Sequence, residues 1–316
     1  MCNQPFTSTA DVLIAHNDTL DFLRTIPNES VRLVVSSPPY NIGKPYEDKI
    51  ALDEYLDWQR TVLRECVRIL QPDGSLCWEV GNHINSGEIF PLDFFFYQIL
   101  KEELGLKLRN RMIWYFEHGL HARKRFSGRY EVVLWFTKED SYVFNLDPVR
   151  IPQKYPGKRH YKGPNKGKLS GNPLGKNPGD IWQFVSSDWE NEIWDIPNVK
   201  WNHPEKTDHP AQFPIELIER LVLALTGPGD YVLDPFMGVG SSLVAAVLHG
   251  RKALGVDNNE SYCLIAKERI DSLLNGTLSR RRLGTQKFRP SGKEKISQLP
   301  KEWATQQSLP SNGLRP

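Results

Sequence analysis

Apolar and polar positions change period several times along this chain, and each change marks an element. Asp11-Val12-Leu13-Ile14-Ala15 is a short apolar run ended by Asn17-Asp18, which predicts a strand. Leu20–Leu23 starts a short helix, and Pro27-Asn28 turns the chain into a second apolar run, Val31–Ser36. From Asp53 to Leu70 the residues Tyr55, Trp58, Val62, Leu63, Cys66, Ile69 and Leu70 recur at helical spacing on one side. Pro72-Asp73-Gly74 should end that helix, and Ser75–Val80 should be a buried strand. Phe90–Leu104 reads as a helix. Arg111–Phe116 and Tyr130–Phe136 read as strands, the second rich in β-branched and aromatic residues.

After Lys138 this regularity lapses. Residues 147–180 are crowded with Pro, Gly, Lys and Tyr, and Trp182, Trp189, Trp194 and Trp201 follow in short irregular pieces. The tryptophans read as core of this region rather than as base-stacking surfaces. Periodicity returns with a helix over Pro214–Thr226, stopped by Gly227-Pro228-Gly229. Tyr231–Asp234 is then a strand, Pro235–Gly240 a tight glycine turn, Leu243–Leu248 a helix closed by Gly250 at C′, and Lys252–Val256 a strand ending in Asp257. The implied layout is one α/β domain in two halves, 11–138 and 206–275, split by an inserted region at 139–205. A polar, basic tail at 279–316 is expected to be largely disordered.

Charge sharpens this picture only locally. Forty Lys and Arg against 38 Asp and Glu leave a net +2, yet eight cations and no acid lie between Arg150 and Lys176. Tyr155, His160 and Tyr161 are interleaved with Lys154, Lys158, Arg159, Lys162, Lys166 and Lys168, which points to nucleic-acid contact over a solvated loop. The four cysteines are scattered without a CxxC pair. That argues against structural zinc and a disulfide framework, and the reading is a cytoplasmic protein. The first residues lack the pattern of a signal peptide, and no run approaches a membrane span.

Two stretches carry chemistry. Ser37-Pro38-Pro39-Tyr40 stops an apolar strand with two prolines, which remove two backbone donors and fix two φ angles. The result is a rigid corner at a strand's carboxyl end, the edge where open α/β sheets bind ligands. The second stretch, strand–glycine turn–helix–strand–acid, is a nucleotide-type βαβ unit: Gly238 and Gly240 let backbone approach a ligand, and Asp257 suits a ribose diol. Each residue also has a plainer reading. Asp257 could cap a helix beginning at Asn259, Asp18 could be an N-cap, and Phe236 could be core.

Ser-Pro-Pro-Tyr at a strand tip, followed much later by Asp234-Pro-Phe-x-Gly-x-Gly-Ser241, resembles the DNA amino-methyltransferases, in the permuted order of their beta class. Asn17-Asp18-x-Leu20 and Thr207-Asp208-His209-Pro210-Ala211-Gln212-Phe213-Pro214 are similar to segments flanking those motifs. The resemblance implies a Rossmann-like, circularly permuted sheet that uses S-adenosylmethionine, with a target-recognition region inserted. It implies the Asp234–Ser241 turn at the cofactor's methionine end, Asp257 on the ribose, Asp18 on the adenine amino group, Phe213 and Pro214 packed near the cofactor, and Phe236 between donor and base. Ser before Pro-Pro-Tyr is most typical of enzymes modifying the 4-amino group of cytosine, and Asp of those acting on the 6-amino group of adenine.

An exocyclic amine is a poor nucleophile because its lone pair is delocalised into the ring. Two acceptors, Ser37 Oγ and the Pro38 carbonyl, would localise it, and Tyr40 would stack on a base lifted out of double-stranded DNA. No metal is needed for methyl transfer from a sulfonium, and no His/Cys/Asp spacing supports one. The expectation is a site-specific cytosine methyltransferase of a restriction–modification system. Adenine methylation, methylation of RNA or a protein amide, and a DNA-binding protein without catalysis are the rivals. The pattern leaves a homodimer open.

Overall fold

The computed structural model describes residues 6–7, 9–44, 47–116, 121–153, 155–182, 199, 203–282 and 285. Ten strands and six α-helices are defined: β1 (Val12–His16), α1 (Thr19–Thr25), β2 (Val31–Ser36), α2 (Leu52–Ile69), β3 (Leu70–Val80), β4 (Asn82–Asn85), β5 (Glu88–Pro91), α3 (Leu92–Gln98), β6 (Lys107–Tyr115), β7 (Tyr130–Thr137), β8 (Ile181–Trp182), α4 (Ile215–Leu225), β9 (Tyr231–Asp234), α5 (Ser241–Leu248), β10 (Lys252–Asp257) and α6 (Glu260–Leu274). Eight strands form one sheet in the order β1-β10-β9-β2-β3-β7-β6-β8, while β4 and β5 pair as a separate hairpin. β1, β10, β9, β2 and β3 are parallel, and β7 is antiparallel to both β3 and β6.

The late strands β9 and β10 lie between the early strands β1 and β2. The two halves of the sequence therefore build a single sheet. From β9 the chain crosses through α5 to β10 on one side, and from β2 it crosses through α2 to β3 on the other. The order reverses between β9 and β2, which creates a crevice at their carboxyl ends.

Helices cover both faces, so the central strands bury successive residues to opposite sides and read as unbroken apolar runs. Val34, Leu76, Trp78, Leu233 and Leu254 pack with residues of α1, α2 and α3, including Phe22, Leu63 and Phe96. Leu33, Val35, Cys77, Val232 and Ala253 pack with residues of α4, α5 and α6, including Leu221, Val244 and Cys263. On α2 the expected apolar stripe is buried, and Arg68 near its end donates to the Leu23 and Ile26 carbonyls at 2.9 Å each, clamping α1.

Several bounds differ from the sequence reading. α2 passes into β3 at Leu70 without an intervening turn, and Gln71–Gly74 are absorbed by a register shift against Val31–Leu33. The helix expected over Phe90–Leu104 is a strand, the short α3, and a π turn over Ile99–Glu103. Within the expected insertion, Asn145 donates its amide to the Ala224 carbonyl (2.6 Å), and Val149 is buried against α4, so this stretch belongs to the core. Trp182 is buried on β8, the edge strand beside β6, whereas Trp189, Trp194 and Trp201 lie outside the described residues. Arg281, read as tail, is buried and paired with Glu216; residues 286–316 lie outside the described residues. Among the described residues no helix is long and apolar enough to cross a membrane.

Candidate active site

The double-proline corner after β2 and the glycine turn after β9 meet in the crevice. Asp234 joins them: its fully buried carboxylate accepts from Ser36 Oγ at 2.6 Å, from Ser242 Oγ on α5, and from the Phe236 amide at 3.0 Å. Burial pushes its pKa up to about 6. Tyr55 on α2 donates to the Pro39 carbonyl (2.7 Å), and Glu47 accepts the amides of Asn41 and Ile42 (2.7 Å each), where Asn41 holds a left-handed φ of 56°. The corner is thereby fixed from three directions.

The crevice is a cleft of about 1030 Å³. Ser37, Pro38, Pro39 and Tyr40 line it, as do Asp18, Phe213, Phe236, Gly238, Ser241 and Asp257. Pro214, Asp234 and Gly240 do not. Pro214 is the N-cap of α4, and Gly240, at φ 75°, starts α5 where a Cβ would stand 2.9 Å from Ala266. Gly240 thus serves the turn and its packing. Lys158, Arg159, Lys162, Lys166 and Lys168 are exposed and away from the cleft lining, and Lys154 lies outside the described residues.

The turn is braced from below. Arg269 on α6, itself buried, donates to the Val239 carbonyl (2.6 Å) and to Ser241 Oγ (3.1 Å). Asp257 accepts the Gly238 amide (3.0 Å) and the Asn259 amide (2.9 Å), and burial raises its pKa. The cap of α6 is Asn259 rather than Asp257. Asp18 is the N-cap of α1, with both capping bonds, from Leu20 and Asp21, on Oδ1. Phe236 packs edge-on against Trp58 and Trp78, with ring centres 5.5 and 6.1 Å apart. His209, also on the lining, stands 4.6 Å from Tyr262, and burial lowers its pKa to about 4, so it is neutral near pH 7.

Behind the corner lies a polar chain that the sequence reading missed. Tyr40 donates its hydroxyl to Glu79 Oε2 (2.8 Å), and Ser37 Oγ lies 3.1 Å from the same hydroxyl. With the Tyr40 proton on its bond to Glu79, the Tyr40 oxygen is the acceptor available to the Ser37 hydroxyl. Burial raises the Glu79 pKa; burial and then the charge of Glu79 push Glu131 well above the carboxylate range. Of the two carboxyls, Glu131 is the harder to ionise. Burial, reinforced by the two glutamates, also raises Tyr40 and keeps its phenol protonated. A Cβ on Gly81 would stand 2.9 Å from Tyr40 Cε2, so glycine at that position lets the ring lie against the backbone. The signal for Glu79 was present in the sequence as an acid in the apolar strand Leu76-Cys77-Trp78-Glu79-Val80. Trp114, Phe116 and Glu131 complete this side of the lining, brought in by β6 and β7. Among the described residues no group of three or more His, Cys, Asp or Glu side chains is placed to hold a metal ion.

The pattern of the DNA methylase family, whose members are N6 and N4 methyltransferases, matches residues 31–268, which include both motifs and the region between them. The chain belongs to the DNA methylase family. The type II methyltransferase M.BglII of Bacillus subtilis is 49% identical to this methylase over 254 residues, covering 80% of this chain and 67% of that protein. The DNA adenine methyltransferase YhdJ of Escherichia coli (strain K12) is 33% identical over 263 residues, covering 82% of each. Among solved structures, PvuII DNA methyltransferase (cytosine-N4-specific) shares the methylase's fold with a TM-score of 0.62 over 85% of this chain and 93% of that one, at 21% identity. The DNA modification methylase TTHA0409 of Thermus thermophilus, complexed with S-adenosyl-L-methionine, matches with a TM-score of 0.53 at 29% identity, over 82% of this chain and 95% of that one.

Proposed function

We propose that this methylase transfers a methyl group from S-adenosylmethionine to the 4-amino group of cytosine in double-stranded DNA, as the modification enzyme of a restriction system. The observation that carries this reading is the shared cleft, where a hydroxyl-bearing corner faces a braced glycine turn across a space large enough for a nucleoside and a base. The cofactor fits the residues present. Gly238, at φ 51°, opens backbone to the cleft, Asp257 offers an acid beside it, and Asp18 keeps Oδ2 free of its capping bonds. In this reading Asp257 binds the ribose hydroxyls, Asp18 the adenine amino group, the turn through Ser241 the methionine end, Phe213 with Pro214 the flank, and Phe236 the wall between donor and base. The bound cofactor supplies an electrophilic methyl group on a sulfonium.

The chain's own residues prepare the nucleophile. Ser37 Oγ and the Pro38 carbonyl accept the two amine protons and localise the nitrogen lone pair toward the methyl group. Methyl transfer from the sulfonium would leave the amine nitrogen with one extra proton. Ser37 takes that proton while passing its own to Tyr40, and Tyr40 passes its own to Glu79. The buried carboxylate is the final acceptor. The exposed cations between Lys158 and Lys168, with Lys154, contact DNA phosphates, and the insertion reads the target. Type II relatives support the restriction setting.

Adenine is the second reading, favoured by the identity to an adenine methyltransferase. Duplex DNA of mixed sequence is methylated, digested to nucleosides and analysed by mass spectrometry. N4-methylcytosine is the expected product; N6-methyladenine would replace the cytosine assignment, and no methylated base would remove both.

A further inference from the structure

The facing ends of β6 and β7 form a second side of the cleft. β6 runs parallel to β3, so it ends at the same edge of the sheet as the corner. Phe116 and Glu131, at the two roots of the chain between these strands, line the cleft, and the Phe116 amide donates to the Arg129 carbonyl at 2.8 Å. Beyond the roots the chain closes a small turn, in which the Ala122 amide donates to Ser127 Oγ at 3.1 Å. The tip of this turn is Arg123-Lys124-Arg125-Phe126. All four are exposed, and Phe126 is 99% exposed, the most exposed large apolar side chain among the described residues. Among the described residues Arg123, Lys124 and Arg125 form no ion pair, and no acid lies between His121 and Tyr130.

A lone exposed phenylalanine is ordinary on a protein surface. One set beside three consecutive cations, on a turn rooted in the lining of a base-sized cleft, has a more specific chemistry. The cations match a phosphate backbone, and the ring matches a base step that has lost its neighbour. A base drawn into the cleft leaves such a gap in the duplex. We propose that the turn 122–127 is a duplex-opening element: Phe126 stacks into the helix at the vacated position while Arg123, Lys124 and Arg125 hold the flanking phosphates. This rests on the reading of the protein as a methyltransferase acting on double-stranded DNA, and it assigns a function to a run outside the basic segment 150–176.

The test uses the full chain and a mixed-sequence duplex of about 30 base pairs, three turns of B-form DNA. The triple variant R123A/K124A/R125A should reduce the slope of log affinity against log salt by about 2–3, near 0.9 per lost phosphate contact. Phe126→Ala should lower methyl transfer to plasmid DNA by about tenfold or more, whereas Phe126→Trp should restore most of it, since a larger ring stacks as well. Calorimetric affinity for S-adenosylmethionine should be unchanged in every variant, which also reports folding. A wild-type salt slope in the triple variant, or wild-type transfer by Phe126→Ala, overturns the proposal and leaves the methyltransferase reading intact. Loss of a dimer in sedimentation by Phe126→Ala, with transfer unchanged, makes the tip a contact between copies and also overturns it. A wild-type protein that binds cofactor but labels no duplex DNA refutes the functional reading itself.

Discussion

Ser37, Tyr40 and Glu79 form a hydrogen-bonded chain with a buried inner end, which in the proposed mechanism carries the proton inward. Tyr40→Phe keeps the ring and removes the linking hydroxyl, so kcat should fall by roughly 10- to 100-fold while calorimetric cofactor affinity holds. Glu79 must be ionised to receive the proton, and burial raises its pKa above the ordinary carboxylate value. Activity should therefore fall as pH drops through that raised value, giving an acid limb at higher pH than an exposed glutamate would. Glu79→Gln should be slow throughout, with this limb missing from the kcat–pH profile. The corner was legible because two prolines ending an apolar run halt the strand ladder and stiffen the chain just beyond it. The pairing of Glu79 with Glu131 was not, because it depends on the antiparallel register of β3 with β7, in which Glu79 faces Val133.

The elements were legible where long apolar runs or helical stripes fixed them, as in α2 and α4, and less so where short pieces did. The β4–β5 hairpin escaped notice because four-residue strands show too little alternation. Its turn carries one local cue, the dipeptide Ser86-Gly87, whose residues both adopt positive φ, 50° and 87°. Asp18 shows how one side chain can satisfy two readings, because its cap on α1 uses a single carboxylate oxygen. Asp18→Ala should cost about 1 kcal/mol in stability by denaturant titration, and Asp18→Asn should restore it, because Asn caps as well as Asp. If Asp18 also meets the cofactor, the alanine variant will weaken S-adenosylmethionine binding beyond what the lost cap explains.

For the whole molecule, the decisive fact is that β9 and β10 fill the place between β1 and β2. Neither half has a complete sheet. Residues 1–202 and 203–316 expressed separately should be aggregated or unfolded by circular dichroism, and coexpression should recover soluble, cofactor-binding protein. The periodicity on both sides of the irregular region shows that each contributes strand–helix units, but the place of β9 and β10 between β1 and β2 is a matter of three-dimensional pairing that no residue pattern carries. Global stability should also report His209. Its folded pKa of about 4 lies below an unfolded value near 6.5, so folding sheds a proton in that window. The stability it contributes is present above pH 6.5 and is lost as pH falls toward 4, on the order of 2 kcal/mol. His209→Gln should flatten the decline of Tm over that range relative to wild type, against a background of buried carboxylates common to both.

The buried bond from Ser36 to Asp234 spans 198 residues. During translation, β2 and its corner leave the ribosome long before their strand neighbour exists. At elongation rates of about 5–20 residues per second, the wait is on the order of 10–40 seconds. Through that interval the nascent chain holds an open strand edge and half a cleft, with no glycine turn opposite the corner. A polypeptide truncated before β9 therefore has no assembled cleft: competence waits on the late strands.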